Sequence, residues 1–443
     1  MKFDLPSEVN EVLDKFTKAG YEIYIVGGAV RDILTGKAVK DWDFTTDATP
    51  EEILKVYPDG FYDNVFGTVG IKFDAFEKPF EVTTFRTEEG YSDARRPDKV
   101  EWGKTLEEDL ARRDFTINAM ALMDSVIDPF DGKSDLTAKL IRAVGNADER
   151  FAEDALRMMR AIRIAAELGF TIEEKTFEAI KKNAALINKI AKERVKDELF
   201  KLLASGNPYE GMVLFKNSGL MDETIPELTK CFGVEQKSPG RHHIYDVGEH
   251  LLMALKFCKS PDPVTRFATL IHDIGKPQTY KKLGSGTITF YNHEMVSTKI
   301  AESIAERLRF SRKETERLIT LVRWHQFTVD ERQTDSAIRR FLRNVGLENV
   351  EDMLSLRVAD RLGGGARETS WRLEEFKKRL TEVQKQPFAV ADLKIDGNDV
   401  MKALKLSPGP KVGEILETLF NEVVENKIEN DRESLLARLK AIG

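Results

Sequence analysis

The sequence predicts an α+β protein in which a small α/β head precedes an elongated, all-α body. Strand signals, meaning runs of β-branched and aromatic residues bounded by glycine, concentrate in the first 147 of the 443 residues. From about residue 148 onward, apolar residues recur at helical spacing. No apolar run approaches the ~18 residues that a membrane-spanning helix needs, so the sequence predicts no membrane partner.

The composition is that of an ordinary globular protein, with 41% hydrophobic and 32% charged residues, which excludes wholesale disorder. The net charge of −7 excludes a protein coated with basic charge, so a nucleic acid would have to meet a local basic patch. The two cysteines, Cys231 and Cys258, form no CxxC pair, and the start MKFDLPSEVN is no secretory signal. We therefore expect a cytoplasmic protein. The oligomeric state stays open.

The elements of the head follow one another in a clear order. The segment YEIYIVGG (21–28) predicts a strand that runs into a Gly-Gly turn, and residues 29–36 predict a helix. DWDFTT predicts a second strand, and Thr49-Pro50-Glu51-Glu52 predicts a helix start with a capping box. FGTVGIKF and FEVTTFR predict further strands, whereas EDALRMMRAIRIAAELGF predicts the first long helix of the body.

Three carboxylates in the strands of the head are candidate catalytic residues. Asp41 and Asp43 flank Trp42, and because strand side chains alternate, both carboxylates should face the same way. Such a pair can hold two divalent ions for phosphoryl transfer, and it can equally be a solvated strand face. Glu81, in FEVTTFR, is either a third carboxylate ligand or an exposed strand residue.

The Gly-Gly turn before this pair is a candidate phosphate site. Gly27 and Gly28 let backbone amides approach a phosphate closely, and the following helix offers its N-terminus. Arg31 can pair with a triphosphate.

Five motifs in a fixed order resemble one known family. GGAVRD, KDWDF, RRDFTINAMA, DPFDG and EDALRMMRAIR occur as in the class II tRNA nucleotidyltransferases and bacterial poly(A) polymerases. The resemblance implies a polymerase-β-like head and template-independent transfer of nucleotides from CTP or ATP to an RNA 3′-hydroxyl, the tRNA 3′ end. It implies that Asp41 and Asp43 bind Mg²⁺ and that Gly28, Arg31 and Arg113 contact the incoming nucleotide.

The first helix of the body carries candidate residues for base selection. Asp154 and Arg157 are three apart, so we expect them to be neighbours on one helix. An acceptor beside a donor can match the Watson–Crick edge of cytosine or adenine, and it can also be an ordinary salt bridge. Arg160 is expected near the phosphates. We include Arg163 in the nucleotide site, although its helical position is opposite Asp154.

Other segments bear on the substrate and on the supporting residues. Asp114 and Asn118 are expected to hold the RRDFTINAMA loop in place. Residues 175–201 carry eight basic and four acidic side chains, an excess that suits a tRNA backbone and also a solvated helix face.

Two segments separate the members of the family. Residues 87–105 resemble the flexible loop of enzymes able to add the terminal A, and residues 392–430 resemble the tail of bacterial CCA-adding enzymes. CCA addition is therefore favoured. An A-adding-only enzyme and a poly(A) polymerase remain alternatives, and a metal phosphohydrolase with an RNA-binding head is an alternative of another class.

All six histidines lie within residues 242–325, which predicts a metal centre. The segment His272-Asp273-Ile274-Gly275-Lys276 resembles the signature of HD-domain metal phosphohydrolases. The resemblance adds further ligands: His250 and Asp360 for one metal, His293 and His325 for a second. Imidazole and carboxylate ligands without thiolates suit Mn²⁺, Fe²⁺, Co²⁺, Ni²⁺ or Zn²⁺. His242 and His243 lie outside the pattern.

The resemblances together imply four parts. These are a nucleotidyltransferase head (1–147), a helical neck for nucleotide selection and RNA binding (148–225), an HD metal-binding domain (226–375) and a helical tRNA-binding tail (376–443).

Overall fold

The computed structural model describes residues 3–62, 67–89, 99–102, 105–236, 244–327, 334–368, 371–383, 390–425 and 427–442. Contacts divide the chain into two compact units. Unit 1 comprises Met1–Lys230 together with two later segments, Pro261–Pro263 and Ile304–Phe310. Unit 2 comprises Cys231–Ser260, Val264–Ser303 and Ser311–Gly443. His242 and His243 lie outside the described residues.

Unit 1 begins with the head, in which strands and helices alternate. Its elements are α1 (Ser7–Lys18), β1 (Ile23–Val26), α2 (Gly28–Leu34), β2 (Asp43–Thr46), α3 (Pro50–Val56), β3 (Phe61–Tyr62), β4 (Thr68–Ile71), β5 (Phe80–Thr84), β6 (Arg86–Glu89), β7 (Lys99–Trp102), α4 (Leu106–Ala111), β8 (Ala121–Leu122), β9 (Val126–Ile127), α5 (Gly132–Thr137) and β10 (Leu140–Ile141). Within the described residues, seven of the strands form one mixed sheet, in the order β3-β4-β5-β2-β1-β8-β9.

The sheet confirms the predicted α/β head and fixes which residues are neighbours. Strand β2 runs antiparallel to β1 and parallel to β5, so Asp43 pairs with Val26 on one side and with Glu81 on the other. Phe44, Phe80 and other apolar side chains of these strands are buried. The predicted capping box is present, because the Thr49 side chain and the Glu52 side chain each accept from the other's backbone N–H at the start of α3.

The rest of unit 1 is helical. Its elements are α6 (Ala147–Glu153), α7 (Leu156–Leu168), β11 (Thr171–Ile172), α8 (Glu174–Asn183), α9 (Lys192–Ala204), α10 (Pro208–Asn217), α11 (Leu220–Thr224) and α12 (Pro226–Thr229). The expectation that Asp154 and Arg157 share one helix is wrong. Asp154 is extended, with φ −140° and ψ 102°, and separates α6 from α7. Its carboxylate accepts from the backbone N–H of Leu156 at 3.0 Å, a capping bond that favours the break.

Unit 2 consists of helices and one short hairpin. Its elements are α13 (Val247–Phe257), α14 (Pro263–Ile271), α15 (Lys276–Thr279), β12 (Lys281–Lys282), β13 (Ile288–Thr289), α16 (His293–Arg307), α17 (Arg312–Trp324), α18 (Asp335–Val345), α19 (Val350–Gly363), α20 (Trp371–Val383), α21 (Gly397–Leu404), α22 (Pro410–Val424) and α23 (Arg432–Ile442). Helices α21–α23 bury a core of their own around Leu419, Phe420 and Leu435. None of the described helices is long and apolar enough to cross a membrane.

Helices α13 and α19 pack closely, and a glycine permits this. A Cβ added to Gly363 would lie 2.6 Å from the backbone nitrogen of Ala254, a distance that real Cβ atoms do not show. The close approach brings together His250 on α13 and Asp360 on α19, which are distant in sequence.

Two segments return to unit 1 late in the chain. Arg307 donates to both carboxylate oxygens of Glu227, at 2.7 and 2.8 Å. Phe310 meets Phe200 edge-to-face, with 4.9 Å between the ring centroids. Unit 1 is therefore completed by residues that follow a large part of unit 2 in the sequence.

Candidate nucleotide site and candidate metal centre

The paired aspartates lie where β2 begins. Trp42 is buried, 4% exposed, and packs against Phe80 at 6.2 Å between ring centroids. Because side chains alternate along extended chain, Asp41 and Asp43 lie on the face opposite Trp42. Glu81, in register with Asp43, belongs to the same edge of the sheet.

The electrostatics of this carboxylate group favour a bound cation. Burial raises the pKa of Asp43, and the charge of Asp41 raises it further, although Arg113 opposes both effects. Lys78 donates to both carboxylate oxygens of Asp41, at 2.8 and 3.0 Å. The sequence prediction missed Lys78, because its distance of 37 residues from Asp41 gives no signal. Oxygen donors alone suit Mg²⁺, so this residue set fits that ion.

Gly27 allows an arginine to approach the aspartate pair. Its φ is +72°, in the left-handed region that favours glycine. A Cβ here would lie 3.2 Å from Nη1 of Arg113 and 3.7 Å from Oδ2 of Asp43. Arg113 is also held by Asp109, whose carboxylate accepts from its Nη2 at 3.1 Å. The Gly-Gly turn, the aspartates and Arg113 therefore form one site.

A chain of hydrogen bonds supports the other arginines. Nη1 of Arg31 donates to Asn118 at 2.9 Å, and Asn118 donates to Asp114 at 3.1 Å. Asp114 also accepts two hydrogen bonds from Arg160, at 2.8 and 2.6 Å. Asp114 and Asn118 thus hold the loop and join it to α7. This geometry is consistent with the supporting role expected from the sequence.

We predict that Asp114→Asn destabilises the protein in a pH-dependent way. Burial opposes ionisation of Asp114, but Arg160 and Asn118 outweigh it and lower its pKa from 3.8 to about 2. A depressed pKa stabilises the fold above pH ~4, and this contribution is lost as the pH falls towards 2. The expected loss at pH 7 is about 2 kcal/mol.

Denaturant unfolding of both proteins between pH 7 and pH 2 measures this difference. Asp124→Asn, at a half-exposed carboxylate of the head, is the control and should change little. A stability difference that stays constant down to pH 2 would contradict the assignment.

A cleft of about 920 Å³ in unit 1 joins these residues. Its lining shares a high density of charge and includes Gly28, Arg31, Asp32, Lys37, Lys40, Asp41, Asp43, Asn118, Arg160, Arg163, Glu167 and Lys201. Arg163 thus reaches the same cleft as Arg160, where it pairs with Glu198 at 2.6 Å and Glu167 at 2.7 Å. Lys37 and Lys40 were not predicted, since lysines in a polar loop carry no specific signal.

Asp154 and Arg157 do not pair with each other in this structure. Asp154 accepts from Arg194 at 2.8 Å, whereas Arg157 pairs with Glu153 at 2.5 Å. Nη2 of Arg157 also donates to the backbone carbonyl of Arg112 at 2.8 Å, next to Arg113 of the nucleotide site. The break at Asp154 explains the different partners. Arg194 was missed because it lies 40 residues away on α9.

Unit 2 gathers all six predicted metal ligands. One group consists of His250, His272, Asp273 and Asp360, and the other of Asp273, His293 and His325. The ligand atoms within each group lie within 4.8 Å of one another. They come from four helices and from the turns that follow α14 and α17. The sequence resemblance therefore selected residues that the fold brings together.

Asp273 is common to both groups and uses a different oxygen for each. Oδ2 lies 3.5 Å from Nε2 of His250 and 3.3 Å from Nε2 of His272. Oδ1 lies 2.9 Å from Nε2 of His293 and 3.5 Å from Nε2 of His325. This is the arrangement of a carboxylate that bridges two metal ions.

Backbone carbonyls fix the orientation of three of the imidazoles. Nδ1 of His272, His293 and His325 lies 2.7–2.8 Å from a carbonyl oxygen three residues earlier in each case. A carbonyl only accepts, so Nδ1 carries the proton and Nε2 faces the cluster, as in metal-ligating histidines. Burial would lower the pKa of His272, but Asp273 and Asp360 outweigh it and raise the pKa to about 10. The residues thus fit divalent transition metals.

A second cavity, of about 500 Å³, opens onto this centre. Its lining includes four ligands of the cluster and other polar side chains: Gln236, Asp273, Lys276, Thr289, Asn292, His293, Glu294, His325, Gln326, Arg357 and Asp360. Lys276 is buried between Asp273, at 2.6 Å, and Gln236, at 2.8 Å. Arg357 donates to Asp360 at 3.1 Å. Two cations therefore line the approach to the metal ligands.

Comparison with known protein families gives three matches along the chain. Residues 23–142 match "Poly A polymerase head domain" and residues 169–232 match "Probable RNA and SrmB- binding site of polymerase A". Residues 287–439 match "tRNA nucleotidyltransferase domain 2 putative".

Full-length relatives have the same extent as this chain. It is 34% identical to the CCA-adding enzyme of Ligilactobacillus salivarius over 446 aligned residues, 99% of this chain and 98% of the relative. A solved structure, the Bacillus stearothermophilus CCA-adding enzyme in complex with CTP, is similar with a TM-score of 0.73 and 28% identity. The alignment covers 99% of this chain and 98% of that one.

Proposed function

Because this chain belongs to the family of CCA-adding enzymes, we propose that it adds CCA to the 3′ end of tRNA from CTP and ATP. The enzyme class is that of the template-independent nucleotidyltransferases. The observation that carries this conclusion is the full-length relationship, which includes the head, the neck and the tail. It favours CCA addition over A addition alone and over poly(A) synthesis. We also propose that the protein acts in the cytoplasm.

We propose roles for the residues of the head from their geometry. Asp41 and Asp43 would hold Mg²⁺, with Glu81 as a third carboxylate at the same sheet edge. Bound Mg²⁺ would supply charge stabilisation for the phosphates and lower the pKa of the RNA 3′-hydroxyl. The amides of Gly27 and Gly28 would approach the phosphates.

The arginines would orient the nucleotide in the cleft. Arg31 and Arg160 are both held through Asn118 and Asp114, so a fixed pair of cations faces the cleft. Arg113, beside Gly27, would contact the ribose or the phosphates. Arg163, which also lines the cleft, would add positive charge near the same group.

Base selection is proposed for Asp154 and Arg157. The carboxylate of Asp154 would accept from the exocyclic amino group of cytosine or adenine, and Arg157 would donate to the ring nitrogen. Both would exchange their present partners, Arg194 and Glu153, for the base. The contact between Arg157 and the Arg112 carbonyl places base selection next to the nucleotide site.

Incorporation assays test the proposed reaction. Transfer RNAs that end before CCA, after C and after CC would be incubated with labelled CTP or ATP. We expect two C additions and then one A addition, with Mg²⁺ required. If ATP is incorporated and CTP is not, the enzyme is of the A-adding or poly(A) type.

A second activity is proposed for unit 2, because Asp273 bridges two complete ligand groups. His250, His272 and Asp360 would hold one transition metal with Asp273, and His293 and His325 would hold a second. The metal would be Mn²⁺, Fe²⁺, Co²⁺, Ni²⁺ or Zn²⁺. We propose that this centre is an HD-type phosphohydrolase and that the four-part division, with an HD domain over 226–375, holds for the chain.

The metal content of the protein should depend on the cluster. We predict that wild-type protein, purified without chelators, carries one or two transition-metal ions and that His272→Ala/Asp273→Ala carries none. Elemental analysis measures the ratio, and assays on 2′,3′-cyclic AMP and p-nitrophenyl phosphate measure hydrolysis. Glu302→Ala, at an exposed carboxylate of α16, is the control.

CCA addition should survive the double substitution, because the head has its own carboxylates. A wild-type protein without transition metal would refute the centre. Bound metal without hydrolysis in any assay would refute the phosphohydrolase activity and leave a structural metal site.

A further inference from the structure

The hairpin beside the metal cavity combines exposed aromatic rings with basic charge. Tyr291, the residue that follows Phe290 after β13, lines the cavity and is 75% exposed. Tyr280, just before β12, is 38% exposed. Lys281 and Lys282 of β12 are exposed, and residues 280–291 contain no acidic side chain. Exposed rings interleaved with basic residues are typical of surfaces that bind single-stranded nucleic acid.

The hairpin is anchored, so these side chains have fixed positions. Ile288 and Thr289 of β13 are buried, and β12 pairs with β13 in antiparallel register. Tyr280 meets Phe290 edge-to-face at 5.9 Å between ring centroids. Tyr291 lies two residues before the metal ligand His293 and thus sits at the mouth of the cavity.

The charges around the cavity match a phosphoester. Lys276 and Arg357 line it from two sides, beside the ligands Asp273 and Asp360. Lys282 has a distant acidic neighbour, since its Nζ lies 3.7 Å from Glu235 on the surface. A phosphate held near the metal ligands would therefore leave an attached base beside an aromatic ring.

We propose that the metal centre of unit 2 acts on a nucleobase-bearing phosphoester and that Tyr291 stacks on the base. Lys276 and Arg357 contact the phosphate that faces the metal ligands, and Lys281 and Lys282 contact the next phosphate of a single-stranded RNA end. This inference rests on the proposed metal centre. It distinguishes the centre from a phosphatase for small phosphate esters without a base.

Fluorescence of a base analogue tests the stacking directly. The probes are 2-aminopurine riboside 3′-monophosphate and an RNA trinucleotide ending in it, with full-length, metal-loaded protein and saturating CTP to occupy the head. Stacking should quench the 2-aminopurine fluorescence. Tyr291→Ala should weaken binding roughly 10- to 100-fold, whereas Tyr291→Phe should bind as wild type. Trp371→Ala, at another exposed aromatic residue of unit 2 (61% exposed), is the control.

The two probes identify the source of the phosphoester. Tighter binding of the trinucleotide that is lost in Lys281→Ala/Lys282→Ala supports an RNA end, and equal binding of both probes supports a mononucleotide. Hydrolysis of β-glycerophosphate, which has no base, should be the same in Tyr291→Ala and wild type. Unchanged probe binding by Tyr291→Ala, with metal still present, would overturn the stacking role alone. Absence of metal from the wild-type protein would overturn the centre and the inference together.

Discussion

Asp41→Ala and Asp43→Ala are each expected to lower CTP and ATP incorporation by roughly 10³-fold or more. A metal ion that stabilises developing charge contributes several kcal/mol to the barrier, and each 1.36 kcal/mol is a factor of ten in rate. Asp43 is the more enclosed of the two and is surrounded by Asp41, Arg113 and Gly27. We expect its loss to have at least the effect of losing Asp41.

Binding of tRNA should remain nearly unchanged in both variants, because affinity comes from basic contacts elsewhere in the chain. Gel-shift titration and single-turnover incorporation measure the two quantities separately. Asp59→Ala, at an exposed carboxylate of the head, should behave as wild type in both assays. Substantial turnover by either active-site variant would show that the aspartate pair is structural.

Asp154→Ala is expected to relax base selection. Removing the acceptor for the amino group of cytosine and adenine removes a hydrogen bond to a charged group, about 1.5–3 kcal/mol. The preference for CTP over UTP should therefore fall about 10- to 100-fold, with slower CTP addition. The ratio of kcat/KM values for CTP, UTP and GTP measures this change.

Asp148→Ala is the matched control, since Asp148 is a carboxylate of α6 that pairs with Lys182 away from Arg157. It should keep full discrimination. If Asp154→Ala also discriminates against UTP and GTP as wild type does, Asp154 serves only as a cap for α7 and a partner for Arg194.

The sequence predicted the head well because its signals are local. The alternation around Trp42, the capping box at Thr49 and the Gly-Gly turn each depend on a few adjacent residues. The break at Asp154 was missed because EDALR contains neither glycine nor proline. An aspartate that caps the following helix looks, in sequence, like an ordinary helical residue.

The site residues were predicted where a motif names them, and missed where only tertiary contacts do. His250 and Asp360 are 110 residues apart and were found through the resemblance to HD domains. Lys78 and Arg194 meet the candidate aspartates through packing of distant elements, and single lysines and arginines are common on any surface. No pattern in one sequence distinguishes such partners from solvated charges.

The return of Arg307 and Phe310 to unit 1 has a consequence for synthesis on the ribosome. At ~5–20 residues per second, the 80 residues between Lys230 and Phe310 take roughly 4–16 s to translate. During that interval Glu227 and Phe200 have emerged without the partners that pair with them in the finished protein. The nascent neck therefore waits, with part of its packing surface uncovered, until a portion of unit 2 has also been made.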